Sequence, residues 1–98
     1  MSKRIGQRRL EWSPRADRDY FDAWAYIAQD NVEAADGVAK RIRDAAQALA
    51  SQPLIGRIGQ RPGTRELVVG NTQFTIIYRA HKTVIRIGRI LHQARRYP

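Results

Sequence analysis

Cysteine is absent from the sequence, which excludes a disulfide framework and any thiolate metal site. The two histidines cannot complete a zinc site unless carboxylates join them, so neither a structural metal nor a cofactor is expected. Long apolar runs are missing too, and no stretch approaches the roughly 20 residues of a membrane span. The opening segment, Met1 to Arg9, is basic but lacks the apolar stretch of a signal peptide. Together these absences point to a cytoplasmic chain in a reducing compartment with no membrane partner. Aromatic residues make up only 8% of the sequence, and a chain of 98 residues buries roughly 60–65% of its unfolded surface. One domain spanning residues 1–98 around a single core is the expectation.

Acid is scarce in the second half. From Ala45 onward nine basic residues (Arg57, Arg61, Arg65, Arg79, Lys82, Arg86, Arg89, Arg95 and Arg96) face one acid, Glu66, a net +8 of the chain's +9. The other eight acids all precede Ala45, so the chain is near neutral in its first half and cationic in its second. A surface that positive attracts polyanions, nucleic acid or acidic protein, and the field alone does not distinguish them.

What is present reads as alternating order. Arg8-Arg9-Leu10-Glu11-Trp12 suits a short edge strand, halted by Ser13-Pro14, a hydroxyl N-cap followed by proline at the first helical position. Ala16, Tyr20, Ala23, Trp24 and Ile27 then recur at helical steps, while Arg15, Asp17, Arg18, Asp19 and Asp22 point elsewhere. Asp30-Asn31 breaks that helix, and Asn31 caps a second one whose stripe is Val32, Ala35, Val38, Ala39, Ile42, Ala46 and Leu49. It should end near Ser51-Gln52-Pro53, leaving a helical hairpin. Beyond a loop from Gln52 to Gly63 come three strands, Arg65 to Val69, Gln73 to Arg79 and Val84 to His92. The fold class is therefore α+β: an N-terminal strand, a helical hairpin and a three-stranded antiparallel sheet, in two layers with one sheet face open. Alanine supplies much of both stripes, so Trp12, Tyr20, Trp24, Leu49 and the strand aliphatics must carry the burial. The acids read as a solvated helical face with i,i+4 pairs such as Asp36 to Lys40, and no two are placed for acid/base catalysis.

Strict alternation in the last strand would drive an arginine into the core unless the strand kinks. A bulge at Gly88-Arg89 resolves the conflict. Ile85, Ile87 and Ile90 then share the core face, and Arg86 and Arg89, with His92 a candidate to join them, reach the open one. His92 is suited to accepting a proton or a hydrogen bond, or simply to finishing the strand; His81 lies in a turn.

The segments Trp12-Ser13-Pro14-x-Ala16, Asn31-x-x-Ala34-Ala35, Pro53-x-x-Gly56-Arg57, Gly63-Thr64-Arg65-Glu66-Leu67, Ile77-Tyr78-Arg79 and Ile90-Leu91-His92-x-x-Arg95 together resemble the RelE/ParE superfamily of toxins from type II toxin-antitoxin systems. The resemblance spans Leu10 to Pro98 and implies a small cytoplasmic toxin held inactive by a cognate antitoxin whose acidic segment wraps it. Charge complementarity with a +9 chain agrees with that.

The superfamily divides in mechanism. Members resembling RelE cut mRNA on the ribosome, and their strand motif reads aromatic-Arg-Leu-x-Tyr, with the arginine on the scissile phosphate. The matching run here is Phe74-Thr75-Ile76-Ile77-Tyr78, with Thr75 at the arginine position. An endoribonuclease of that kind would have to use Arg65, Arg79 or Arg89 on phosphate and His92 or Tyr97 in proton transfer. The wording from Gly63 to Leu67 and from Ile90 to Arg95 is closer to the ParE branch, whose studied members poison DNA gyrase without catalytic residues of their own. That branch implies docking on gyrase or the gyrase-DNA complex through Arg65, Arg79, Arg86, Arg89, His92, Arg95 and Arg96. The alternatives are the ribosome and its mRNA as target, and a non-toxic relative that binds antitoxin or nucleic acid.

Overall fold

Helix boundaries follow the caps written in the sequence. In a computed structural model of the chain, which describes residues 7–95, Ser13 is extended (φ −66°, ψ 157°) and its Oγ accepts the Ala16 N–H at 2.9 Å. Proline follows at the first helical position, where its missing N–H costs nothing, and α1 runs Pro14–Ala28. Asn31 repeats the device, its Oδ1 accepting the Ala34 N–H at 3.0 Å, and α2 runs Val32–Ala48. The second helix closes a few residues short of the expected Ser51-Gln52-Pro53, with Leu49 as its C-cap.

The sheet has five strands: β1 (Arg9–Trp12), β2 (Arg57–Ile58), β3 (Arg65–Val68), β4 (Phe74–Ala80) and β5 (Val84–His92), in the order β1-β5-β4-β3-β2. A 3-10 turn, Gln93–Arg95, follows β5. The helical hairpin carries the chain back across the sheet, so β1 pairs with β5 in parallel while every other pair is antiparallel. The expected three-stranded sheet is thus joined by β1 at one edge and β2 at the other. Two residues are too few to show an alternating pattern, which is why β2 reads as loop.

The core lies between hairpin and sheet. Ala16, Ile42, Ala46 and Leu49 from the helical segment meet Val69, Ile76, Tyr78, Ile85, Ile87 and Ile90, all buried. Alanine at the contact lets the helices approach closely, and each buried isoleucine contributes roughly 1.5–3 kcal/mol. Trp12 and Tyr20 pack against this core edge to face, their rings 5.5 Å apart. Trp24 does not join it. Its indole N–H donates to Asp36 at 2.8 Å on the outer side of the hairpin, and Lys40 accordingly pairs with Asp44 rather than with Asp36.

The register confirms the bulge. Ile77 faces Arg89 and Tyr78 faces Ile87, leaving Gly88 without an opposite number. Partners across the ladder share a face, so Leu10, Trp12, Ile85, Ile87, Ile90, Phe74, Ile76, Tyr78, Arg65 and Leu67 look toward the helices. Arg9, Glu11, Arg86, Thr75, Ile77, Arg79, Glu66, Val68 and Arg57 take the other face. Among the described residues no helix is long and apolar enough to cross a membrane.

Candidate functional site

The open sheet face carries a group of exposed cations. Arg79 and Arg86 stand directly opposite each other on β4 and β5. Across the parallel ladder Glu11 stands opposite Arg86 and takes two guanidinium groups, Arg86 Nη2 at 3.0 Å and Arg9 Nη2 at 2.7 Å. The Arg9 hydrogen bond, helped by the positive charge of Arg86, holds the Glu11 carboxyl below the usual carboxylate range. Arg79 Nη1 donates to the Pro62 carbonyl at 3.0 Å, over the turn where Gly63 takes positive φ (81°). A side chain at Gly63 would also run into the Arg79 guanidinium.

Other candidates have structural employment. Arg65 lies on the helix-facing side, its Nη1 donating to the Gly56 carbonyl at 2.8 Å. There it helps Tyr78, whose phenol donates to the Pro53 carbonyl at 2.7 Å and accepts the Gly56 N–H at 3.0 Å. The segment Pro53-x-x-Gly56 is thereby clasped to the sheet. Arg89 stands opposite Ile77, but its guanidinium is drawn back to α1, with Nε 2.7 Å and Nη2 3.2 Å from the Asp19 carboxylate. Asp19 also accepts the Ile90 N–H at 2.9 Å, and its hydrogen bond raises the Arg89 pKa further above the usual arginine value. Asp19 is therefore not one of the solvated acids that helical spacing suggests; with 13% of its side chain exposed it seals the β5 edge where β1 has ended.

His92 also departs from expectation. It shares the face of Ile90 and stands opposite Phe74, ring centroids 5.3 Å apart, on the helix-facing side instead of the open one. Its Nδ1 accepts the Ala94 N–H at 3.1 Å, so the ring finishes the strand and starts the 3-10 turn. Arg95 closes that turn, while Arg96 and Tyr97 lie outside the described residues. Thr75, at the position where an arginine would meet phosphate, is 0% exposed, with its hydroxyl buried and unpartnered among the described residues. Glu66 is buried at 3% and receives Arg57 at 3.1 Å and the Gln60 N–H at 3.4 Å, tying β2 and its loop to β3. Among the described residues, no group of three or more His, Cys, Asp or Glu is placed to hold a metal ion.

Sequence reasoning missed a second surface. On the helical side Leu10, Trp12, Asp17, Tyr20, Arg43 and Ala46 line a cavity of about 500 Å³. It adjoins another of about 410 Å³ bounded by Phe21, Trp24, Asp36 and Ala39, with Tyr20 and Arg43 common to both. Phe21 stacks on Trp24 with centroids 6.3 Å apart, yet stays 61% exposed. Arg43 donates to the Tyr20 hydroxyl between the two hollows. Phe21 falls off the apolar stripe of α1, and that mismatch was the available signal.

Comparison with known proteins follows the same outline. The model of the ParE toxin of the type II toxin-antitoxin system, parDE, matches residues 10–97. The Y4kP protein of Sinorhizobium fredii is 36% identical over 94 residues, covering 96% of this chain and 97% of that protein. In a solved structure of the chromosomal ParDE system of P. aeruginosa, the similar chain superposes with a TM-score of 0.78 at 23% identity, over 89% of this chain and 97% of that one. The RelBE2 toxin-antitoxin complex of Mycobacterium tuberculosis shares the fold at a TM-score of 0.61 and 19% identity, over 95% of this chain and 99% of that one. The DinJ-YafQ toxin-antitoxin complex of E. coli does so at 0.63 and 17%, over 94% of this chain and 99% of that one.

Proposed function

The chain belongs to the ParE toxin family of type II toxin-antitoxin systems, and from that membership we propose that it inhibits DNA gyrase by docking and is neutralised by a cognate antitoxin. The observation that supports docking over catalysis is Thr75. Nucleases resembling RelE carry an arginine at that position, and here it is a threonine with no exposure and no route to a phosphate. Two candidates that could have replaced it, Arg65 and Arg89, are committed to the Gly56 carbonyl and to Asp19, and His92 is turned to the helix-facing side. What the described open face offers is Arg79, Arg86 and Arg9 as exposed cations, with Glu11 beside them already accepting from Arg86 and Arg9.

The antitoxin takes the opposite side. The aromatic trough along the hairpin, with Arg43 at its centre, fits an amphipathic acidic segment that lays apolar side chains on Trp12, Tyr20 and Trp24 and offers a carboxylate to the guanidinium. Neutralisation then works through a protein-type interface distinct from the sheet face.

A supercoiling and cleavage assay on relaxed plasmid, with gyrase, ATP and purified chain, tests the gyrase target. Loss of supercoiling or accumulation of linear DNA, reversed by excess cognate antitoxin, is the expected result. Fully active gyrase beside a chain that still arrests growth refutes it and moves the target to mRNA on the ribosome.

A further inference from the structure

The open face has an electrostatic imbalance that folding alone does not account for. Arg79 and Arg86 are direct cross-strand partners, an arrangement of like charges that weakens a sheet. Among the described residues Glu11 is the acid that pairs with them, shared between Arg86 and Arg9, while Arg79 Nη1 donates to the Pro62 carbonyl. At the same end of the sheet Arg8 Nε donates to the His81 carbonyl at 2.8 Å, beside the turn that also carries the exposed Lys82. Despite these contacts the side chains stay open to solvent, Arg9 67% and Arg86 57% exposed.

The chemistry of the face narrows the ligand. No strand residue described on the open face is aromatic, so there is no platform on which unpaired bases could stack. Both apolar cavities, which a protein partner would use for anchors, lie on the helical side. What remains are planar, fully charged forks on a pleated surface, the groups that pair with phosphate oxygens without reading bases. We propose that Arg79, Arg86 and Arg9, with Arg8 and Lys82 beside them, form a docking surface for the phosphodiester backbone of duplex DNA. The inference deepens the gyrase proposal and rests on it for its biological consequence: the chain grips the DNA segment that gyrase holds, and Glu11 orients two of the guanidiniums toward it.

The test is fluorescence anisotropy of the purified chain with labelled 30-base-pair duplexes of unrelated sequence over a series of KCl concentrations. Binding should be indifferent to sequence and fall steeply with salt. R79Q/R86Q should weaken it at least tenfold and reduce the salt slope by about 2, since each lost phosphate contact removes roughly one released counterion. R79K/R86K, which keeps the charge, should retain most of the affinity and shows that loss in the glutamine variant is not misfolding. R15Q/R18Q on the exposed side of α1 makes the same change in net charge and should bind as the parent does. Equal loss in R79Q/R86Q and R15Q/R18Q overturns the site, as does a parent chain that binds polyglutamate but not duplex. Supercoiling assays on the same proteins keep the two proposals apart. Duplex binding by a parent that leaves gyrase active supports the surface and refutes the gyrase target alone. Undiminished gyrase inhibition by R79Q/R86Q overturns the role of this face in inhibition.

Discussion

Tyr78 does more for the architecture than any charged candidate. At 1% exposure it belongs to the core, yet its hydroxyl bridges the Pro53 carbonyl and the Gly56 N–H. A Cβ on Gly56 would lie 2.7 Å from that oxygen, so glycine is required there by close approach. Removing the hydroxyl in Tyr78→Phe strands both backbone groups and should cost about 1–3 kcal/mol in thermal or urea unfolding. Burial pushes the phenol above the ordinary tyrosine value of 10.0. A folded pKa above the unfolded one means that this contribution is complete below about pH 10 and is lost as pH rises through the folded value. The phenylalanine variant should therefore lose less stability than the parent between neutral pH and alkaline conditions. Asp19→Ala should be comparably costly, because it strands the Ile90 N–H and the partly buried Arg89 together. The sequence displays Pro53, Gly56 and Tyr78 as separate fragments of a family pattern; their shared hydrogen bonds exist only once the loop has folded over the sheet.

Among the elements, the joint between β1, α1 and β5 decides the most. Ser13 accepts the Ala16 N–H to start α1 and donates its own hydroxyl hydrogen to the Gly88 carbonyl at 2.9 Å, so one side chain caps a helix and fastens it to the bulge. Ser13→Ala should accordingly lose about 1–2 kcal/mol, at the upper end of the range for an N-cap. Gly88 itself does not need glycine. Its φ is not positive, and a Cβ would meet the Ile77 carbonyl at an ordinary 3.6 Å. Gly88→Ala should stay within about 1 kcal/mol of the parent in the same unfolding experiment. Caps, stripes and the bulge were legible because each is a local rule: a hydroxyl before proline, a 3.6-residue period, an arginine that alternation would otherwise bury. The parallel pairing of β1 with β5 and the two-residue β2 were not, since partner and direction are settled by contacts far apart in the chain.

Taken whole, the molecule keeps two chemistries on opposite sides, apolar hollows and stacked aromatics on the hairpin and exposed cations on the sheet. If antitoxin and target use separate faces, Trp24→Ala should weaken antitoxin binding at least tenfold in calorimetry while leaving growth arrest intact. R79Q/R86Q should do the reverse; a variant that loses both functions with its fold unchanged would contradict the separation. By itself the sequence determined the fold class, the order of the helices and the longer strands, the bulge and the concentration of positive charge, because composition, capping and periodicity act within a few residues. Only the tertiary structure decided which cations remain available. All four arginines meet a carboxylate or a carbonyl in the folded chain, but Arg89 and Arg65 are half-buried against Asp19 and the Gly56 carbonyl, whereas Arg86 and Arg79 stay exposed on one ladder rung beside Glu11 and the Pro62 carbonyl. That distinction rests on how far folding covers each guanidinium, and charge counted along a chain carries no burial.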